Sequence, residues 1–256
     1  MLLAVDVGNT QTVLGLYAGE ELRAHWRVAT APSDTADELH IRVKQLLGLE
    51  GLDCSLVKAV VLSSVVPGLS EQWLEAGLRL SGQPVLNVTA ELDTGLTYKY
   101  DKPSEIGADR VADAVAAVSL YGAPVIVVDF GTATNIEVID RDGAFVGGII
   151  APGLVTSAEA LFAAAARLSS TAIEVPATAI GKSTREAVKS GLTYGEIDRI
   201  DGLIRRVFSE LGYLAPVIAT GGLSSRVATI SATIDLINDD LTIEGLRLIY
   251  ERLRAG

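Results

Sequence analysis

Apolar residues run unbroken over positions 2–5, meet Asp6, and resume over 13–17 after a small polar segment of Gly8, Asn9, Thr10, Gln11 and Thr12. That pattern predicts strand, tight turn, strand. Ala18, Gly19 and Glu20 mark a second turn, and residues 22–29 alternate as a third strand. Pro32, Ser33 and Asp34 start a helix whose apolar positions recur at helical spacing over 35–47, with Gly48 and Gly51 ending it. A β-branched run at 59–63 predicts a buried strand, 69–80 an amphipathic helix ending near Gly82, and 84–88 a short strand. The order is βββαβαβ. Residues 89–105 lack periodicity and read as a long loop, and 107–121 form an Ala/Val-rich helix closed by Gly122.

The second half repeats the first. Residues 124–139, PVIVVDFGTATNIEVI, again bring a β-branched run to a carboxylate, Asp129, followed by a Gly131, Thr132 turn and a second apolar strand. Asp142 and Gly143 make a hairpin turn into a third strand over 144–150, and Pro152 and Gly153 lead into an Ala-rich helix over 154–166. An irregular piece covers 167–182, and two helices, 184–191 and 196–211, are expected to hinge near Gly191 and Gly195. A buried strand at 216–220 runs into Gly221 and Gly222, followed by a helix over 224–230, a short strand at 234–236 and a closing helix over 242–254. Two βββα units in the same order predict an α/β chain of two duplicated domains, 1–115 and 116–256, each a mixed sheet with helices on both faces. A cleft between two such domains is a favoured ligand site.

Composition narrows the partners. With 256 residues and 49% hydrophobic content, the chain builds one large or two small domains with a real core. A lone cysteine, Cys54, excludes an internal disulfide and a multi-Cys zinc site, and fits a reducing compartment. Two histidines, His25 and His40, make no His-rich metal centre. No basic stretch precedes an apolar one at the start, so no secretory leader is expected. The long apolar stretch 111–128 is interrupted by Asp113, Gly122 and Pro124, and reads as a helix and a strand. A net charge of −11 repels nucleic acid and acidic lipid. The expectation is a cytoplasmic protein with a small-molecule partner, no nucleic acid and no membrane.

A carboxylate at the end of a buried strand, beside Gly, Asn and Thr donors, suits a metal–phosphate group, and a capped β-hairpin uses the same residues. Two such hairpins suit the phosphates of one nucleotide, with Gly221 and Gly222 against its nucleoside. This layout resembles the superfamily of actin, the heat-shock chaperone ATPases and the sugar and acetate kinases, whose duplicated ribonuclease H-like (actin-like ATPase) domains hold ATP in the cleft between them. Five segments narrow the resemblance: DVGNT at 6–10, YDKPSEIGADR at 100–110, DFGTATN at 129–135, GGIIAPG at 147–153 and DLTIEGLRLIYE at 240–251. In order and spacing across the whole chain they are similar to type III pantothenate kinase.

The resemblance implies ATP-dependent phosphorylation of pantothenate, the first step of coenzyme A synthesis. By it, Asp109 is the catalytic base, a role that phosphoryl transfer to an alcohol calls for. Arg110 faces the pantothenate carboxylate, and Tyr100, Gly107 and Ala108 line the pantothenate site with Asp109. Asp6, Val7, Gly8, Asn9, Thr10, Gln11, Thr12 and Val13 form the ATP phosphate loop, with Asp6 near Mg2+, and Thr132 contacts ATP. Asp129 is the ligand of a monovalent cation (K+ or NH4+), and Thr184 reaches the pantothenate site of the other subunit in a homodimer with a shared site.

Each residue also has a plain structural use. Asp109 and Arg110 suit a helix start and a surface ion pair, with Asp113 as a competing partner, and Thr184 or Ser183 suits an N-cap. Lys102, Gln11, Asn135, Ser183, Lys189 and the run Ser169, Ser170, Thr171 depart from the usual family pattern and bear on substrate and dimer contacts rather than on the reaction class. Two other functions fit the same layout: a kinase of another small hydroxy acid, and a non-catalytic nucleotide-binding regulator.

Overall fold

Strands β1 (Leu2–Val7) and β2 (Gln11–Ala18) pair antiparallel from Leu2 opposite Tyr17 to Val7 opposite Thr12. Gln11 and Thr12 thus belong to the strand, and the turn shortens to Gly8, Asn9 and Thr10. In this computed structural model, which describes residues 1–165, 168 and 171–255, the chain continues through β3 (Glu21–Ala29), α1 (Ala36–Leu49), β4 (Ala59–Ser64), α2 (Pro67–Ser81) and β5 (Leu86–Asn87). The expected loop over 89–105 carries a two-residue strand, β6 (Thr97–Tyr98), before α3 (Ala108–Tyr121). Next come β7 (Val125–Phe130), β8 (Ala133–Ile139), β9 (Ala144–Pro152) and α4 (Leu154–Ala164). The chain ends with α5 (Thr184–Leu211), β10 (Val217–Thr220), α6 (Ser224–Val227), β11 (Leu236–Ile237) and α7 (Leu241–Ala255). Of the expected helix over 154–166 and the segment after it, Ala166, Arg167, Ser169 and Ser170 lie outside the described residues.

Two compact units result: Met1–Ser119 with Leu241–Gly256, and Leu120–Asp240. In the first, the sheet order is β3-β2-β1-β4-β5, and in the second β9-β8-β7-β10-β11. These are the same topology, an antiparallel meander continued by parallel strands. The repeat extends to single residues: β1 and β7 each have six residues, each buried in the same pattern, with the Asp fifth. Leu3, Val5 and Val7 bury against α1 and α2, and Ile126, Val128 and Phe130 join the core containing α5. By alternation, Asp6 and Asp129 leave their strands on the opposite face.

Helix α1 begins with a capping box: Thr35 Oγ1 accepts from Glu38 N at 3.3 Å, and Glu38 Oε2 accepts from Thr35 N at 2.8 Å. Thr35→Ala should lower stability by about 1 kcal/mol in urea unfolding.

Two expectations change. The division 1–115 and 116–256 puts the closing helix in the second domain, yet α7 packs on β1, β2 and β4 of the first unit. Its buried Leu241, Ile243, Leu246 and Ile249 need a sheet face, and sequence order does not say which sheet supplies it. The two helices hinged near Gly191 and Gly195 are one 28-residue helix, α5. A glycine inside a helix costs about 1 kcal/mol against Ala. Burial of Ile197, Ile200, Ile204 and Val207 offsets that, as does the Ser183 N-cap, which accepts from Glu186 N at 3.3 Å.

Candidate active site

The first turn is built by main-chain and hydroxyl bonds. Gly8 N donates to Gln11 O at 3.0 Å. Thr30, where β3 ends, donates its hydroxyl to Gly8 O at 2.8 Å and lies 2.9 Å from the buried Thr12 hydroxyl. Asn9 and Thr10 are left exposed, while Asp6 is half-buried. The neighbour of Asp6 on β4 is Ser63, whose hydroxyl is fully buried with no hydrogen-bond partner and lies on the same sheet face. Among the described residues no three His, Cys, Asp or Glu side chains gather as a metal centre. An Mg2+ ion held by one carboxylate, water and phosphate oxygens needs no such group. Asp6, with the orphaned Ser63 hydroxyl beside it, fits that mode of binding.

Gly107, Ala108, Asp109 and Arg110 form the first turn of α3, with Val111 N donating to Gly107 O at 3.1 Å. Asp109 folds its carboxylate back over Gly107, where Oδ1 accepts from Arg110 N at 2.8 Å. A Cβ on Gly107 would stand 2.5 Å from that Oδ1 and 3.6 Å from Val65 Cγ1. Val65 continues β4, and its N donates to Val7 O at 3.1 Å. The Asp109 turn therefore lies by the same strand ends as the Asp6 turn. Burial pushes the Asp109 carboxyl above the usual carboxylate range, against the lowering effects of the Arg110 N–H and guanidinium. A general base gains from such a shift towards the working pH. Arg110 is 6% exposed, so it is no surface ion pair. Tyr100 is half-buried at the end of the preceding loop. Gly107→Ala should displace the Asp109 carboxylate with little loss of stability. The check is kcat, expected to fall by about 10²-fold at an unchanged melting temperature.

In the second unit the turn is again narrow, with Gly131 N donating to Ala133 O at 3.0 Å. The Thr132 carbonyl is pinned by Gly153 N at 3.0 Å and Thr156 Oγ1 at 2.7 Å, and the residue itself is exposed. Asp129 packs against two glycines: a Cβ would stand 3.4 Å from Oδ2 at Gly131 and 2.2 Å from Oδ1 at Gly221. Gly221, matched to the nucleoside in the sequence reading, thus seats the Asp129 carboxylate. Thr184 is exposed in the first turn of α5, and Ser183 takes the N-cap. Asp129 and Thr132 share one hairpin, while Thr184 lies on a separate element.

Two of the departures from the family pattern, Lys102 and Lys189, are taken up by ion pairs. Lys102 pairs with Glu105 at 3.0 Å on the surface, and Lys189 with Glu174 at 2.5 Å. Sequence reasoning missed Thr30 and Ser63. A hydroxyl residue at a strand end opposite a polar turn is the signal for both. It also missed Glu196, buried on α5, which accepts from Thr134 Oγ1 at 2.7 Å and from Arg199 Nη2 at 2.5 Å, while Arg199 Nη2 also donates to Pro152 O at 2.8 Å.

Residues 2–206 match the type III pantothenate kinase family. The chain belongs to that family. It is 47% identical to a type III pantothenate kinase of Thermomicrobium roseum, over 100% of this chain and 99% of that one. It is 45% identical to one of Brevibacillus brevis, over 98% and 99%. Among solved structures it resembles a conserved Campylobacter jejuni protein assigned to the Baf family of transcriptional activators, with TM-score 0.61 and 19% identity over 99% and 100% of the two chains. It also resembles the ROK hexokinase of Thermus thermophilus, with TM-score 0.52 and 13% identity over 100% and 99%. At such identities these two establish the fold alone, and a shared fold does not fix a shared function.

Proposed function

We propose that this chain phosphorylates the terminal hydroxyl of pantothenate with ATP, the first step of coenzyme A synthesis, and that Asp109 is the base. Family membership supports the reaction. The half-buried Asp109 carboxylate beside the strand ends that carry Asp6 supports the base. Asp109 accepts the hydroxyl proton as the oxygen–phosphorus bond forms and the bond to the leaving ADP breaks. Position and electrostatics supply most of the rate. Asp6, Val7, Gly8, Asn9, Thr10, Gln11, Thr12 and Val13 hold the phosphates, with Thr132 as a further ATP contact. Mg2+ at Asp6 supplies charge neutralisation when bound, and a monovalent cation (K+ or NH4+) pairs with Asp129. Arg110 holds the pantothenate carboxylate, with Tyr100, Gly107 and Ala108 around the substrate. Thr184 serves the second subunit of a homodimer, and the enzyme works in the cytoplasm. Among the described residues no helix is long and apolar enough to cross a membrane.

The test is ADP release with pantothenate and a panel of small hydroxy acids, each with K+, NH4+ or Na+. Turnover should require pantothenate and rise with K+ or NH4+. Preference for another acid would replace the substrate, and tight nucleotide binding without turnover would favour the regulator.

A further inference from the structure

Helix α3, which carries Asp109, is held by α7 through two contacts that the proposed chemistry does not use. Asp113 lies four residues after Asp109, on the same helix face, and is 1% exposed. Its Oδ1 accepts from Thr242 Oγ1, in the first turn of α7, at 2.7 Å. One residue earlier on α3 and one turn later on α7, the two backbones nearly touch: a Cβ on Gly245 would stand 2.0 Å from Ala112 O and 2.5 Å from Ala112 C. Only a residue without a side chain permits that approach, and the obstacle is main chain, which cannot swing aside as a side chain would.

The other side of α7 rests on the sheet that carries Asp6. A Cβ on Gly15 of β2 would stand 2.9 Å from Ile243 Cδ1. Arg247, 5% exposed, lies with its guanidinium carbon 5.6 Å from the centre of the Tyr17 ring and is paired with Glu251 at 2.7 Å. The same helix thus touches the strand that pairs with β1 and the helix that carries Asp109.

We infer that Thr242 and Gly245 are positioning residues: α7 is a spacer that sets the distance of the Asp109 turn from the Asp6 strand, through the Thr242–Asp113 hydrogen bond and the Gly245–Ala112 backbone contact. This rests on the reading of Asp109 as the base. Burial alone would be served by any apolar residue at either position, whereas spacing needs a donor at 242 and no side chain at 245. A misplacement of about 1 Å at a reacting group costs about 10²-fold in rate.

The test measures kcat and both KM values of Thr242→Val, Thr242→Ser and Gly245→Ala beside Asp109→Asn, well below each melting temperature. Gly245→Ala should lose about 10²-fold in kcat. Thr242→Val should lose about tenfold, the rate equivalent of one hydrogen bond, with KM for ATP and pantothenate held. Thr242→Ser, which keeps the donor, should restore the wild-type rate. Adding Thr242→Val to Asp113→Ala should cost nothing further, since the Thr242–Asp113 hydrogen bond is already lost. Normal kcat in Thr242→Val, or equal losses in the Val and Ser variants, would overturn the spacer while leaving Asp109 as base. A normal rate in Asp109→Asn would overturn the base itself. If Gly245→Ala does not fold, the Thr242 pair decides.

Discussion

Asp109→Asn should lower kcat by about 10²–10⁴-fold, the contribution of a general base. The substitution keeps the volume and an oxygen to accept from Arg110 N, which now binds Oδ1 at 2.8 Å, so the α3 turn should stay in place. Nucleotide affinity should stay near wild type, because the proposed phosphate loop is built by Gly8, Thr12 and Thr30 without help from Asp109. The pH profile carries a second sign of the same group. Burial raises the Asp109 carboxyl, so the acid limb of kcat/KM should lie above the pH at which an ordinary carboxylate titrates, and should vanish in the variant. Titration calorimetry with a non-hydrolysable ATP analogue separates loss of chemistry from loss of binding. A variant that turns over normally removes Asp109 from the mechanism.

Gly221→Ala should be the most damaging of the single methyl additions in the second unit. Gly221 has φ +91°, where an L side chain is strained, and its Cβ would stand 2.2 Å from Asp129 Oδ1 and 2.7 Å from Phe130 N. Strain and overpacking together should cost about 2–4 kcal/mol. The displaced Asp129 should also weaken activation by K+ or NH4+. Gly212 is the control: its φ is +74°, but nothing lies within 4 Å of an added Cβ. Gly212→Ala should therefore cost only about 1 kcal/mol in urea unfolding. Equal losses in the two variants would show that backbone strain, rather than contact with Asp129, accounts for the effect.

The duplicated hairpins were legible because each declares itself at short range and the second half repeats the first. A β-branched run, an Asp in fifth place and a Gly turn declare strand and hairpin without tertiary help, and β1 and β7 keep that pattern residue for residue. GADR was legible through the family resemblance, and the Ala/Val-rich run after it declared the helix that α3 forms. What escaped depends on residues far apart in sequence. Gly221 looks like any turn glycine until Asp129 is seen against it, and Gly245 looks like a flaw in an amphipathic helix until Ala112 is seen against it. The same ambiguity misled in the other direction at Gly191 and Gly195, where glycines that read as a hinge lie inside α5. The apolar stripe of α7 announced a helix but not its sheet, since both sheets offer a similar surface. Buried polar partners such as Ser63 and Glu196 carry no periodic signal, and their burial came only with the fold.

The most direct measurement is a single-turnover transfer with enzyme in excess over γ-labelled ATP, in the presence of Mg2+, K+ and pantothenate, with the wild type and Asp109→Asn side by side. Label should move to phosphopantothenate in the wild type and stay on ATP, still bound, in the variant. Equal transfer by both enzymes, or bound ATP that the wild type never passes to pantothenate, would contradict the account.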